Sequence, residues 1–173
     1  QLARLELAKE LINRKKYDDA LALIDECYIY PTHLGEGKLP GAQENDFNYY
    51  KAYILQQQGR PEEAHSLFVK ACSGNSQPAA AMYYNDQKPD KIFYQGLAYR
   101  KLGEEEKARS RFNQLITYGE EHLFDQFKMD YFAVSLPDLL IWEDDMDKKN
   151  RIHCNYLMAL GCLLYTSDAA DDK

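Results

Sequence analysis

The sequence predicts an all-α fold of stacked helical hairpins, and the main reason is an internal repeat of 44 residues. The segments "NRKKYDDALALI", "QQGRPEEAHSLF" and "KLGEEEKARSRF" begin at residues 13, 57 and 101, so one pattern recurs at two equal intervals. In the later copies, apolar residues at helical spacing lie on both sides of a glycine. A repeat of this length suits one pair of helices that buries its apolar face against its neighbours, so we expect a right-handed stack of such pairs.

Glycine and proline mark the turns inside the repeats. Gly59 and Gly103 suit the left-handed backbone conformation that ends a helix, where a side chain would be strained. Pro61 then fits the first turn of the following helix. Acidic residues next to these turns complement the positive end of the helix dipole, which gives them a structural role rather than a catalytic one. They are Glu62, Glu63, Glu104, Glu105 and Glu106.

Small and large residues recur in a fixed order along the repeats. The small ones are expected where two helices approach closely, and the large ones where the gap between helices must be filled. The small residues are Ala8, Ala20, Ala52, Ala64, Gly96 and Ala108, and the large ones are Ile24, Phe68 and Phe112.

This order, with Gly or Ala followed after twelve residues by Ala and after four more by a large apolar residue, resembles the tetratricopeptide repeat (TPR). The resemblance implies a TPR-like α-solenoid, although no unit has the family's Trp at its fourth position. The three units would be 1–34, 45–78 and 89–122, with spacers at 35–44 and 79–88. Residues 123–148 break the period and are expected to contain a helix beginning near Pro137, and 149–162 resemble the first helix of a fourth unit.

The spacers suggest a more specific resemblance. "YPTHLGEGKLPGAQEND" and "QPAAAMYYNDQKPDK", with "DYFAVSLPDLL" and "NRIHCNYLM", are similar to the repeat region of an uncharacterised bacterial family called domain of unknown function 5107. In that family the helical array follows a separate upstream domain, which implies that this chain is a fragment of a larger multidomain protein. Residues 163–173, "LLYTSDAADDK", resemble the translation of a sequencing-library adapter found in metagenomic reading frames, so we leave them out of the functional interpretation.

Composition and motifs argue against several classes of function. The formal net charge of -7 and the lack of a Lys/Arg stripe argue against nucleic-acid binding. Four cysteines without metal-ligand spacing predict free thiols, which favours a reducing, cytoplasmic compartment. The sequence contains no run of 18 apolar residues, so it does not predict a membrane span. "HLGEGKLPG" lacks the spacing of a phosphate-binding loop and "WEDDMDKKN" that of a calcium loop, so we expect no cofactor, metal site or catalytic residue.

The first functional hypothesis is a scaffold. First helices of stacked hairpins would line a groove that holds another polypeptide segment or packs against the upstream domain of the parent protein. The TPR family's best-known mode grips a terminal carboxylate with Lys and Asn, but those positions here hold Tyr and apolar residues, so we expect an aromatic, hydrogen-bonding groove. The groove candidates are Tyr49, Tyr53, Gln56, Gln57, Phe93, Leu97, Arg100 and Lys101.

The alternative hypothesis is the helical part of a carbohydrate-active enzyme. Carboxylates in the spacers would act as acid and base, and aromatic rings would stack on sugars. The candidates are Glu36, Glu44, Asp86 and Asp90, with Tyr83, Tyr84 and Trp142 as the aromatic groups. No feature of the sequence fixes two carboxylates at the working separation of about 5–10 Å. For Asp90, and for Asp46 at the equivalent helix start, helix N-capping is the favoured role.

Overall fold

The computed structural model describes residues 2–30, 38, 42–80, 88–127 and 145–171, with the backbone alone for 164–171. All regular structure within these ranges is α-helical, which confirms the predicted all-α class. None of the described helices combines the length and apolar character needed to cross a membrane. The helices are α1 (Leu2–Asn13), α2 (Tyr17–Cys27), α3 (Asn45–Gln57), α4 (Pro61–Ala71), α5 (Asp90–Lys101), α6 (Glu105–His122) and α7 (Met146–Asp171).

Three turns of equal length join α1 to α2, α3 to α4 and α5 to α6, and all three have the same geometry. The central residue of each has a positive φ: 60° at Lys15, 75° at Gly59 and 77° at Gly103. The backbone N–H of the next residue then donates to the carbonyl five positions earlier, at 2.9 Å in every turn. This bond is typical of a helix end that passes through the left-handed conformation. The predicted role of both glycines is confirmed.

Replacing Lys15 by glycine is expected to stabilise the protein by about 0.5–1 kcal/mol. A non-glycine residue in the left-handed region is strained by about 1–2 kcal/mol, and the greater freedom of glycine in the unfolded chain offsets part of that gain. The converse change, Gly59→Ala, is expected to destabilise the protein, because alanine is strained at the positive φ of this position. A Cβ there would meet nothing within 4 Å, so the cost is conformational and not steric. Urea denaturation measures both effects, and a less stable Lys15→Gly variant would contradict the assignment of strain.

The chain divides into two compact units, and the boundary falls inside α5. The first unit comprises Gln1–Gly74 and Leu97–Glu105. Within it, α1 packs on α2 and α3 packs on α4, while α3 also contacts α1 and α2. Every small residue predicted here at a close contact is buried, together with the large residues of the second helices. These residues are Ala8, Ala20, Ala52, Ala64, Ile24 and Phe68.

The second unit comprises Asn75–Gly96 and Glu106–Lys173, and its helices are packed through glycines. A Cβ built on Gly96 would lie 2.3 Å from Cε1 of Phe112, so the predicted close contact is present. Two further glycines bring α6 and α7 together: a Cβ on Gly119 would lie 2.7 Å from the Cys154 carbonyl oxygen, and one on Gly161 would lie 2.8 Å from that of Phe112. The core of this unit includes Ile92, Leu115, Leu157 and Leu160.

Helix α7 extends on both sides of the predicted segment 149–162. It begins earlier because Asp145 Oδ1 accepts a hydrogen bond from the Lys148 N–H, which caps the first turn. It continues past Gly161 because that glycine is buried against α6 and no proline follows it. The helical backbone therefore includes most of the segment left out of the functional interpretation. The helix expected near Pro137 lies outside the described residues.

Candidate functional site

A row of tyrosine and lysine side chains lies on α1, α3 and α5 of the first unit. The Lys9 ammonium lies 5.4 Å from the centre of the Tyr50 ring, and this ring meets Tyr49 edge-on with centroids 5.4 Å apart. The Lys101 ammonium lies 5.6 Å from the centre of the Tyr53 ring. A cation at this distance is attracted by the ring face. We call Lys9, Tyr49, Tyr50, Tyr53 and Lys101 the tyrosine face.

Tyr49 has a packing role as well as a place on the tyrosine face. Its ring lies 5.8 Å from the Phe68 ring of α4, measured between centroids. Burial raises the pKa of its hydroxyl to about 12, with further contributions from Tyr50 and Tyr53. This predicted groove residue therefore helps to hold the α3–α4 hairpin together, and its removal would weaken that hairpin.

The more accessible groove candidates of the first unit lie along α3 and the end of α5. Gln56, Gln57 and Lys101 are exposed, whereas Tyr53 and Leu97 are half-buried. The half-buried Arg100 has its Nε 3.8 Å from Glu105 Oε2. These side chains offer an aromatic ring, two amides and two cations, which can hydrogen-bond to a peptide backbone and attract carboxylates.

Phe93 belongs to the second unit, where it takes the packing role that Tyr49 has in the first. Its centroid lies 6.0 Å from that of Phe112 and 5.6 Å from that of Tyr94. Tyr49 and Phe93 are 44 residues apart, as are Phe68 and Phe112. The repeat thus contained the signal for both aromatic pairs, although repeat register predicted their first members as groove residues alone.

Only two residues of the glycan hypothesis, Glu44 and Asp90, lie in the part of the chain that the structure describes. The others lie outside the described residues: Glu36, Tyr83, Tyr84, Asp86 and Trp142. Glu44 directly precedes α3 in the first unit and pairs with Lys38, while Asp90 is the first residue of α5 and belongs to the second unit.

The predicted N-cap role of Asp46 is wrong. Glu44 is the residue at the cap position, and Asp46 is the second residue of the helix. It is buried, and its Oδ1 accepts a hydrogen bond from the Phe47 N–H at 3.0 Å. Its carboxylate lies near the positive end of α3, which favours the negative charge without a capping geometry.

Buried amides that the sequence analysis did not single out tie helices to carbonyl groups elsewhere in the same unit. Asn45 Nδ2 donates to the Ala71 and Ser73 carbonyls at 2.7 and 2.8 Å, which joins the start of α3 to the end of α4. Asn150 Nδ2 donates to the His122 carbonyl at 2.7 Å and joins α7 to α6 in the same way. These amides satisfy carbonyl groups that a helix end leaves without an intrahelical partner.

A polar groove of about 650 Å³ lies beside α6 in the second unit. Ser110, Asn113 and Thr117 line it on the helix, and Gln77 and Pro78 line it on the other side. Its helical wall has the composition of an ordinary solvated helix face, so residue types alone did not predict this groove. Among the described residues, no three His, Cys, Asp or Glu side chains are grouped as a metal site would require.

Comparison with known proteins gives no family for this chain. No protein-family model matches it, and no solved structure is significantly similar to it. The likeness to the tetratricopeptide repeat and to domain of unknown function 5107 therefore stays a prediction from the sequence.

Proposed function

We propose that the chain is a helical-repeat scaffold, a TPR-like α-solenoid, that binds an extended polypeptide segment through the tyrosine face. The segment belongs to a partner protein or to another part of the same polypeptide. The observation that carries this proposal is the tyrosine face itself, in which three tyrosines of a single helix lie between the ammonium groups of Lys9 and Lys101. Tyrosine combines a large apolar contact with a polar tip and loses little side-chain entropy on binding.

The surroundings of the tyrosine face support a peptide as its ligand. The exposed amides of Gln56 and Gln57 follow Tyr53 on the same helix and can pair with backbone N–H and C=O groups. Lys101, exposed over the Tyr53 ring, can meet a carboxylate without losing its contact with the ring. An extended segment with an apolar anchor and a neighbouring acidic residue fits both features.

Selection from a phage-displayed library of random peptides tests this proposal. Synthetic versions of the selected peptides are titrated against the chain by fluorescence anisotropy. We expect the double variant Tyr53→Ala with Lys101→Ala to weaken binding at least about tenfold, because an aromatic anchor and its flanking cation dominate such contacts. Tyr49 is left unchanged because it also packs on Phe68.

Val69→Ala is the matched control, since Val69 is an exposed apolar residue of α4 in the same unit. It should leave the dissociation constant unchanged. Far-ultraviolet circular dichroism confirms that each variant keeps its helices. Equal binding of the selected peptides to the double variant and to the unmodified chain would refute a binding role for the tyrosine face.

A further inference from the structure

The polar groove beside α6 lies between a helix face and an irregular segment of the same unit. On α6, the residues that line it recur every three or four positions from Glu106 to Glu121, which places them along one side of the helix. The opposite wall belongs to residues 75–80, which contribute Gln77 and Pro78. We call this space of about 650 Å³ the α6 groove, and its volume is typical of a ligand site.

The irregular wall of the α6 groove is held in place by α5 and α7. Gln95 of α5 donates from Nε2 to the Asn75 carbonyl at 3.1 Å. His153 of α7 lies with Nε2 2.8 Å from the Ala79 carbonyl oxygen, and since a carbonyl only accepts, this nitrogen donates. The wall therefore has anchors of its own and needs no ligand to keep it beside α6.

The side chains of the α6 groove are hydrogen-bonding groups of mixed donor and acceptor character. Ser110 and Thr117 contribute hydroxyls, and Gln77 contributes an amide from the other wall. The half-buried Gln114 accepts a hydrogen bond at Oε1 from Arg111 Nη1 at 3.2 Å, which orients this amide so that its Nε2 can donate to a ligand. Ligand hydroxyls match such a lining, because each of them both donates and accepts.

The same lining disfavours other classes of ligand. Its described residues carry two carboxylates, Glu106 and Glu121, and one guanidinium, Arg109, a balance that disfavours phosphates and nucleic acids. None of the described lining residues is a Leu, Ile, Val, Met or Phe on which the apolar anchor of a peptide would pack. Pro78 has no N–H and the Ala79 carbonyl is already engaged, so an added peptide strand would find few partners along this wall.

We propose that the α6 groove binds a short, uncharged oligosaccharide through the amides and hydroxyls of its two walls. Glu106 and Glu121 are fifteen residues apart on α6, which corresponds to about 22 Å along the helix axis, so the groove takes several sugar units. The same separation exceeds the roughly 5–10 Å between the two carboxylates of a glycosidase, so the sugar is bound and not cleaved there. The groove shares no residue with the tyrosine face, and the proposal stands independently of the peptide-binding function.

Isothermal titration calorimetry of the complete chain with four neutral tetrasaccharides tests this assignment. The probes are cellotetraose, laminaritetraose, maltotetraose and mannotetraose. We expect at least one of them to bind saturably, with a dissociation constant below about 1 mM. Gln77→Ala with Gln114→Ala removes one amide from each wall and should weaken binding at least about tenfold, because two hydrogen bonds to sugar hydroxyls are lost. Ser110→Trp places a large ring in the groove and should abolish binding.

Gln126→Ala is the matched control, since Gln126 is an exposed amide of the same unit outside the groove lining. It should leave the dissociation constant unchanged, and circular dichroism confirms that each variant keeps its helices. Absence of binding by all four sugars at about 10 mM would overturn the proposal. Sugar binding that Ser110→Trp leaves intact would also overturn it, because the sugar would then lie elsewhere. The same holds for a library peptide whose binding Ser110→Trp abolishes, because the groove would then hold a polypeptide.

Discussion

Replacement of Phe112 by alanine is expected to lower the free energy of unfolding by about 3–5 kcal/mol. The Phe112 side chain is 3% exposed, and its ring packs on Phe93 and directly against the backbone at Gly96. Truncation would remove these contacts and leave a cavity that the surrounding helices could fill only partly. Chemical denaturation, followed by circular dichroism, measures the loss.

A double-mutant cycle with Gly96→Leu tests whether this contact has the geometry described. Alone, Gly96→Leu should destabilise by about 1–3 kcal/mol, since its Cβ would already clash with the Phe112 ring. In the double variant, the leucine side chain can enter the space vacated by Phe112, so the combined loss should be smaller than the sum of the two. Additive losses would indicate that the two residues are not in contact.

The parts of the fold predicted from the sequence are those fixed by short-range spacing. Gly59 and Gly103 indicated helix ends because few other residues adopt a positive φ. Lys15 takes the same conformation at the same phase of the repeat, but its residue type gave no indication of this. The repeat interval was a better guide here than residue preference, because it carries information from three copies of the turn.

The candidate site was less predictable because its residues have two roles. Repeat register assigned Tyr49 and Phe93 to a groove, whereas each also packs on a phenylalanine of the following helix. Lys9 and Tyr50 were not predicted, since a cation over a ring depends on which helices become neighbours. The same reason applies to the buried amides, whose acceptors lie more than twenty residues away in the sequence.

Asn45→Asp is expected to destabilise the protein by about 3–5 kcal/mol near pH 7, although the substitution is nearly isosteric. Asn45 is 2% exposed, and its Nδ2 donates to two carbonyl oxygens. A carboxylate at this position would lose both donors and bring a buried negative charge against those oxygens.

The loss of stability in this variant should depend on pH in a defined direction. Burial and the two carbonyls would raise the pKa of the new carboxyl above its unfolded value of about 3.9. The variant should therefore come closest to the stability of the unmodified chain below about pH 4 and fall further behind as pH rises through the raised pKa.

Asn48→Asp is the matched control, three residues along α3. The Asn48 Oδ1 accepts a hydrogen bond from the Tyr28 hydroxyl, and a carboxylate at this position would keep that role. Urea titrations of both variants at several pH values measure the difference, and a stability gap for Asn45→Asp that does not change with pH would show that the new carboxyl is not buried against the two carbonyls.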